Sequence, residues 1–197
     1  MSDHKLVLHP IDPWTSLANQ AALINELTAL GLLGEQYEWF GETHYKPGAD
    51  FLRLVEFSHN HTVVVMGDTP NGLQEVDCVD SREACHLHLS NVAPEPEFRG
   101  VANTLPPLCP SCHYEPEEPF EIVGKWYENK ADFRWVCTHC KTSSALNEMN
   151  WRRSAGIARY TLDIWEVWQG EAIPSETLLH RLHSTTDTEW TYFYYHL

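Results

Sequence analysis

The sequence predicts an α+β protein, with an antiparallel or mixed sheet, helices packed on one face, and a small module inserted into it. Three observations carry this. Apolar residues recur at helical spacing from Trp14 to Leu27, between two short strand-like runs. Runs that alternate or are rich in β-formers occur at 86–92, 159–168 and 188–197. Between these regions lie two Cys-x-x-Cys pairs. The expected organisation is an α+β region at 1–100, the cysteine-bearing module at 101–145, and a strand–helix–strand region at 146–197 that packs with the first.

Taken in order, Leu6-Val7-Leu8 reads as a strand closed by Pro10 and Pro13. Asp12-Pro13 is a helix-start signal, because Asp caps free N–H groups and Pro is tolerated in the first turn. Trp14, Leu17, Ala18, Ala21, Ile24 and Leu27 then face the sheet, with Trp14 as a core anchor, and Gly31 or Gly34 ends the helix. Tyr37–Phe40 reads as a strand. Phe51–Phe57 and Thr62–Met66 read as a strand pair turning at Ser58-His59-Asn60-His61, and Leu73–Val79 as a strand after the turn Thr69-Pro70-Asn71-Gly72. His86–Val92 alternates, with its leucines on one face and its histidines on the other.

Ala93-Pro94-Glu95-Pro96-Glu97 reads as a linker. Beyond the module, Ser144–Arg153 is weakly helical, Arg159–Trp168 is a long strand and Ser175-Glu176-Thr177 opens a helix. Thr188–Leu197 is apolar on both faces, so an interior position or a partner is expected. Residues 6–40 and 160–195 share a strand–helix–strand order, each with Glu-Trp in its second strand, which suggests an internal pseudo-repeat.

A chain of 197 residues, 43% hydrophobic and with 8 Trp, 8 Tyr and 7 Phe, can bury a substantial core. Its formal net charge is −15, with −10 in residues 1–100. Nucleic-acid binding depends on neutralising phosphates with Lys and Arg, so this balance disfavours it. Lys141, Arg152, Arg153 and Arg159 form at most a small basic patch, read as a solvated face. No cationic leader with an apolar run is present, and no stretch has the length of a membrane helix. The expectation is a soluble, cytoplasmic, acidic protein whose six cysteines serve metal binding or remain free thiols.

The pairs Cys109-Pro110-Ser111-Cys112 and Cys137-Thr138-His139-Cys140 are separated by 24 residues. Two intervening residues let a tight turn bring both sulfurs to one side, so the two pairs complete a tetrahedron with Zn–S distances of roughly 2.3 Å. Phe120–Val123 and Phe133–Val136 read as strands around a turn at Glu128-Asn129-Lys130. Residues 108–141 thus resemble the zinc-ribbon class and, more distantly, the rubredoxin class, over about a sixth of the chain. Many members of those classes carry Gly soon after the second Cys of a knuckle; His113 and Lys141 stand there instead. The expected cofactor is a structural Zn²⁺ on Cys109, Cys112, Cys137 and Cys140, with a redox dithiol pair or a rubredoxin-like iron as alternatives. His113 and His139 are substitute ligands or, more simply, solvent-facing knuckle residues.

Two His-x-His pairs, His59/His61 and His86/His88, each place both rings on one side of a strand. With Asp77, Asp80 or Glu83 they would suit a second, hydrolase-like metal site, against the plainer reading of polar-face residues. Cys78 and Cys85 read as inert thiols. No Gly-rich phosphate loop, nucleophile elbow or His-Glu-x-x-His occurs. The functional expectation is a zinc-stabilised, acidic protein-binding or regulatory protein with a basic protein partner, and not a nucleic-acid or membrane binder. The alternative is a metal-dependent enzyme built on the His-x-His pairs.

Overall fold

The computed structural model describes residues 4–58, 62–68, 74–80, 84–101 and 104–196, with 62–68 and 74–80 described as backbone. Its central element is a six-stranded sheet of β1 (His4–Pro10), β2 (Leu33–Trp39), β3 (Glu42–Pro47), β7 (His86–Leu89), β12 (Leu162–Trp165) and β14 (Trp190–His196). The strand order is β14-β1-β12-β7-β3-β2, and every pairing is antiparallel. Four helices accompany it among the described residues: α1 (Gln20–Ala29), α2 (Phe51–Leu54), α3 (Pro119–Glu128) and α4 (Glu176–Thr186). The class is α+β. No helix among the described residues is long and apolar enough to cross a membrane.

Strand register explains the core. Leu6 pairs with Ile164, Leu8 with Leu162, and Leu87 with both Ile164 and Tyr45, so one sheet face is continuously apolar. Leu23 and Leu27 of α1 and Leu178 and Leu182 of α4 bury themselves in the same cluster. The other face carries Lys5, Val7 and His9 on β1, Asp163 and Trp165 on β12, His86 and His88 on β7, and His44 on β3.

Helix α1 starts seven residues later than Asp12-Pro13 suggests. Asp12 closes a local turn instead, accepting from the Trp14 amide at 3.0 Å, and Asn19 caps the helix by accepting from Ala22 N at 3.0 Å. Trp14 therefore lies outside the helix and is 43% exposed, not a core anchor. Gly31 ends the helix at φ +80°, with the Leu32 amide reaching back to Leu27 O at 3.0 Å. Ser175 caps α4 as its sequence implies.

Phe51–Phe57 is not one strand. Phe51, Leu54 and Val55 are all buried, and that i, i+3, i+4 spacing is met by the single turn of α2 before β4 (Val55–Phe57). β4 pairs with β13 (Ala172–Pro174), whereas β5 (Thr62–Asp68) pairs with β6 (Gln74–Asp80). The turn at 69–72 and the His59/His61 pair lie outside the described residues. The run 159–168 is also shorter than expected. β11 (Gly156–Ala158) leaves to pair with β8 (Glu97–Arg99), and Glu166 at φ 60° stops β12. Within 144–153 the only helical turn is 3₁₀, at Leu146–Glu148.

Strand β14 is an edge, not an interior strand. Its rim is covered by Arg153, whose carbonyl accepts from Tyr194 N at 2.9 Å. The Arg153 guanidinium donates to Tyr192 O at 2.7 Å and lies 3.9 Å from the Tyr192 ring centre. The pseudo-repeat has no spatial counterpart. β12 and β14 both flank β1, whereas β12, β7 and β3 separate β1 from β2.

A second, smaller core lies beside the sheet, formed by Ile122, Val123, Trp126, Leu146, Met149, Trp151, Ala155 and Ile157. Gly156 allows a close approach where the two bodies meet. A Cβ there would stand 2.6 Å from both His9 Nε2 and Phe193 Cε1. His9 is 7% exposed. Burial lowers it to about 4, the Pro10 carbonyl pulls the other way, and Arg153 and Arg99 add to the lowering. Because the folded value lies below the ordinary 6.5, the unfolded chain binds the extra proton between the two. Stability is therefore lost as pH falls through that window and the loss levels off below about 4. Between pH 7 and pH 5 this amounts to about 2 kcal/mol. Urea unfolding at both pH values checks it: His9→Gln should shrink the difference by that amount.

Candidate metal centre

The four predicted cysteines converge. Cys109 Sγ lies 3.6 Å from Cys140 Sγ, and Cys112 Sγ lies 3.7 Å from Cys137 Sγ. A tetrahedral ion with bonds of roughly 2.3 Å sets its sulfurs about 3.8 Å apart, so the donor set fits a metal and is far too open for disulfides. The first Cys of each pair is fully buried.

The two knuckles share one backbone pattern. His113 N donates to Cys109 O and Lys141 N to Cys137 O, both at 3.0 Å. Cys109 N donates to Tyr114 O and Cys137 N to Thr142 O, both at 2.9 Å. The turn requires a left-handed residue after each second Cys, and His113 (φ 57°) and Lys141 (φ 63°) adopt it without being glycine. The departure from the ribbon pattern is thus in residue type, not in backbone. His139 stacks parallel to Tyr114 at 5.9 Å, and the cluster of possible metal ligands contains the four cysteines and neither knuckle histidine. The Thr142 side chain and amide hold the Cys140 thiol down to about 6, while Cys112, despite its Tyr114 backbone contact, is pushed up to about 12 by desolvation and by sharing protons with the other three sulfurs.

Between the knuckles the structure departs from a ribbon. Phe120–Val123 is not a strand but part of α3, which begins at Pro119 and carries the Glu121–Lys125 pair at 3.3 Å. Only the second knuckle sits in a hairpin, β9 (Trp135–Val136) with β10 (Ser143–Ser144). A bridge from Leu108 to Asn150 closes the segment at its base.

The basic patch is engaged in structural contacts. Arg152 bonds Pro106 O and lies 3.1 Å from Glu115, Arg159 Nε donates to Ala93 O at 2.8 Å, and Lys141 Nζ donates to Thr138 O at 2.8 Å. Among the other sequence candidates, Cys85 is buried, Asp77, Asp80 and Cys78 lie on β6, and Glu83 lies outside the described residues.

Of the predicted histidines, His88 of β7 joins a second cluster that the sequence does not announce. His88 comes together there with Glu42 and His44 of β3, one ligand atom from each lying within 4.8 Å of the others. His86 stacks on Trp165 instead, at 5.3 Å, and burial followed by His44 lowers it to about 4. Only the alternation of Glu42-Thr43-His44 hints at this role, and it has force only once β3 is known to neighbour β7. Comparison with family models, curated proteins and solved structures gave no match.

Proposed function

We propose that this chain is a zinc-stabilised binding protein, with a structural Zn²⁺ on Cys109, Cys112, Cys137 and Cys140 and a basic protein as its partner. The closed four-sulfur arrangement carries the reading: four thiolates fill a zinc tetrahedron, leave no position for substrate and make the ion a brace. The second knuckle needs one, since its hairpin strands are two residues each.

The surface beside the cysteines supports a basic partner. A groove there is lined by Glu117, Glu118 and Glu121, by Lys125 and Arg134, which pair with Glu121 at 3.3 Å and with Glu148 at 3.6 Å, and by Ile122, Trp135 and Val136, of which Val136 is 53% exposed. Carboxylates beside apolar side chains suit a segment carrying Lys or Arg next to an aliphatic anchor, and the net charge of −15 speeds its approach.

The experiment is affinity capture with the zinc-loaded full chain against Glu117→Lys, Glu118→Lys, Glu121→Lys. A basic protein held by the parent and lost by the variant supports the reading, and equal capture by both, or none, overturns it.

A further inference from the structure

We propose that Glu42, His44 and His88 form a second metal site, separate from the cysteines, that takes a divalent transition ion such as Zn²⁺ through two imidazole nitrogens and one carboxylate oxygen. The donor atoms already cluster: His88 Nε2 is 3.7 Å from Glu42 Oε2, and all three lie within 4.8 Å of one another. Ligand bonds of roughly 2.0–2.2 Å place tetrahedral donors about 3.4 Å apart, so an ion needs separations of up to 4.8 Å to contract by at most about 1.4 Å. The His44 and His88 rings stack at 4.8 Å, and a small rotation of each turns a nitrogen toward the ion. Two imidazoles and a carboxylate suit zinc, and three protein ligands leave a fourth position for water or a small anion.

A second observation points to a ligand. His44 is completely buried, and neither Nδ1 nor Nε2 has a hydrogen-bond partner. A buried polar atom without a partner costs about 1–3 kcal/mol, and a neutral imidazole presents both a donor and an acceptor. A solvated polar-face histidine does not fit this position, and coordination satisfies one of the two nitrogens.

Next to it, Asp163 Oδ1 is also buried without a partner, while Asp163 Oδ2 lies 3.6 Å from Lys5 Nζ. Asp163 is the cross-strand neighbour of His88, where a carboxylate can orient a ligand histidine. Asp163 is a positioning residue, not a ligand. Trp39 meets His44 edge-on at 4.9 Å and packs against Trp165 at 5.1 Å, giving the site an aromatic wall, while Glu42 reaches solvent and opens it.

Metal stoichiometry of the full-length protein, dialysed against zinc and then freed of loose ion, tests this. Two ions per chain are expected. Glu42→Gln with His88→Gln should lower the count to one. Because both positions lie at or near the surface, this pair keeps the test sound if His44→Ala fails to fold. Asp163→Asn should weaken the second ion roughly 10–100-fold while leaving it bindable. Cobalt substitution separates the sites, since thiolate charge-transfer absorption reports the cysteines alone and must survive the Glu42/His88 changes. A count that the Glu42/His88 pair does not alter overturns the proposal. So does loss of the second ion from His59→Ala with His61→Ala, which would assign it to that pair. Neither result touches the cysteine site, whose failure would show as absent thiolate absorption.

Discussion

Cys137→Ser should release the cysteine-bound metal and unfold the segment from Leu108 to Asn150 while the six-stranded sheet stays folded. Cys137 is fully buried, and its carbonyl and amide close the second knuckle. Serine is a poor zinc ligand, and three remaining thiolates would repel one another around a weakened ion. Apart from α3 and ion pairs such as Arg152–Glu115 and Lys130–Glu95, the segment has one two-residue hairpin, one bridge and a share in a core of eight buried side chains, against 22 in the main core. Structural zinc contributes about 10–16 kcal/mol in small finger peptides, comparable to the entire stability of an ordinary domain at roughly 5–15 kcal/mol. Metal analysis should fall by one ion per chain. Limited proteolysis should then cut within 108–150 and spare β1, β12 and β14. A variant that keeps its protease resistance and melting temperature would show that the thiols cluster without bearing load.

The cysteine site was legible because its geometry is local. A Cys-x-x-Cys pair brings its sulfurs together within one turn, and only the meeting of the pairs depends on the fold. Glu42, His44 and His88 were not legible as a group because nothing local joins them. They are neighbours through Tyr45 opposite Leu87, a contact between strands distant in sequence. The alternation of His86-Leu87-His88-Leu89 did indicate which face the rings take. A cap decided the error at the start of α1. Asp12 holds its side chain for its own turn, and Asn19, a weaker signal beside Asp-Pro, takes the cap. The Glu-Trp likeness of the chain's two ends misled for a different reason, since the order of elements along a chain does not fix which strands lie side by side.

Trp126→Ala should destabilise the cysteine-bearing body by roughly 3–5 kcal/mol, the range for emptying an aromatic site in a packed core. Trp126 is 4% exposed and sits in the smaller core with Ile122 and Val123, with Lys130 Nζ 5.5 Å from its ring. The same cluster discriminates helix from strand over the stretch where sequence and structure disagree. In a strand, Phe120 and Ile122 share one face and Val123 lies on the other. In α3, Ile122, Val123 and Trp126 turn inward together and Phe120 is left 56% exposed. Phe120→Ala should therefore fall within about 0.5 kcal/mol of the parent, as surface changes do. Val123→Ala should cost about 1–3 kcal/mol, the range for removing a buried aliphatic side chain smaller than leucine. Urea titrations of the three variants with zinc saturating provide the comparison. A costly Phe120→Ala beside a neutral Val123→Ala would restore the strand and remove the helix that packs the metal module against its own core.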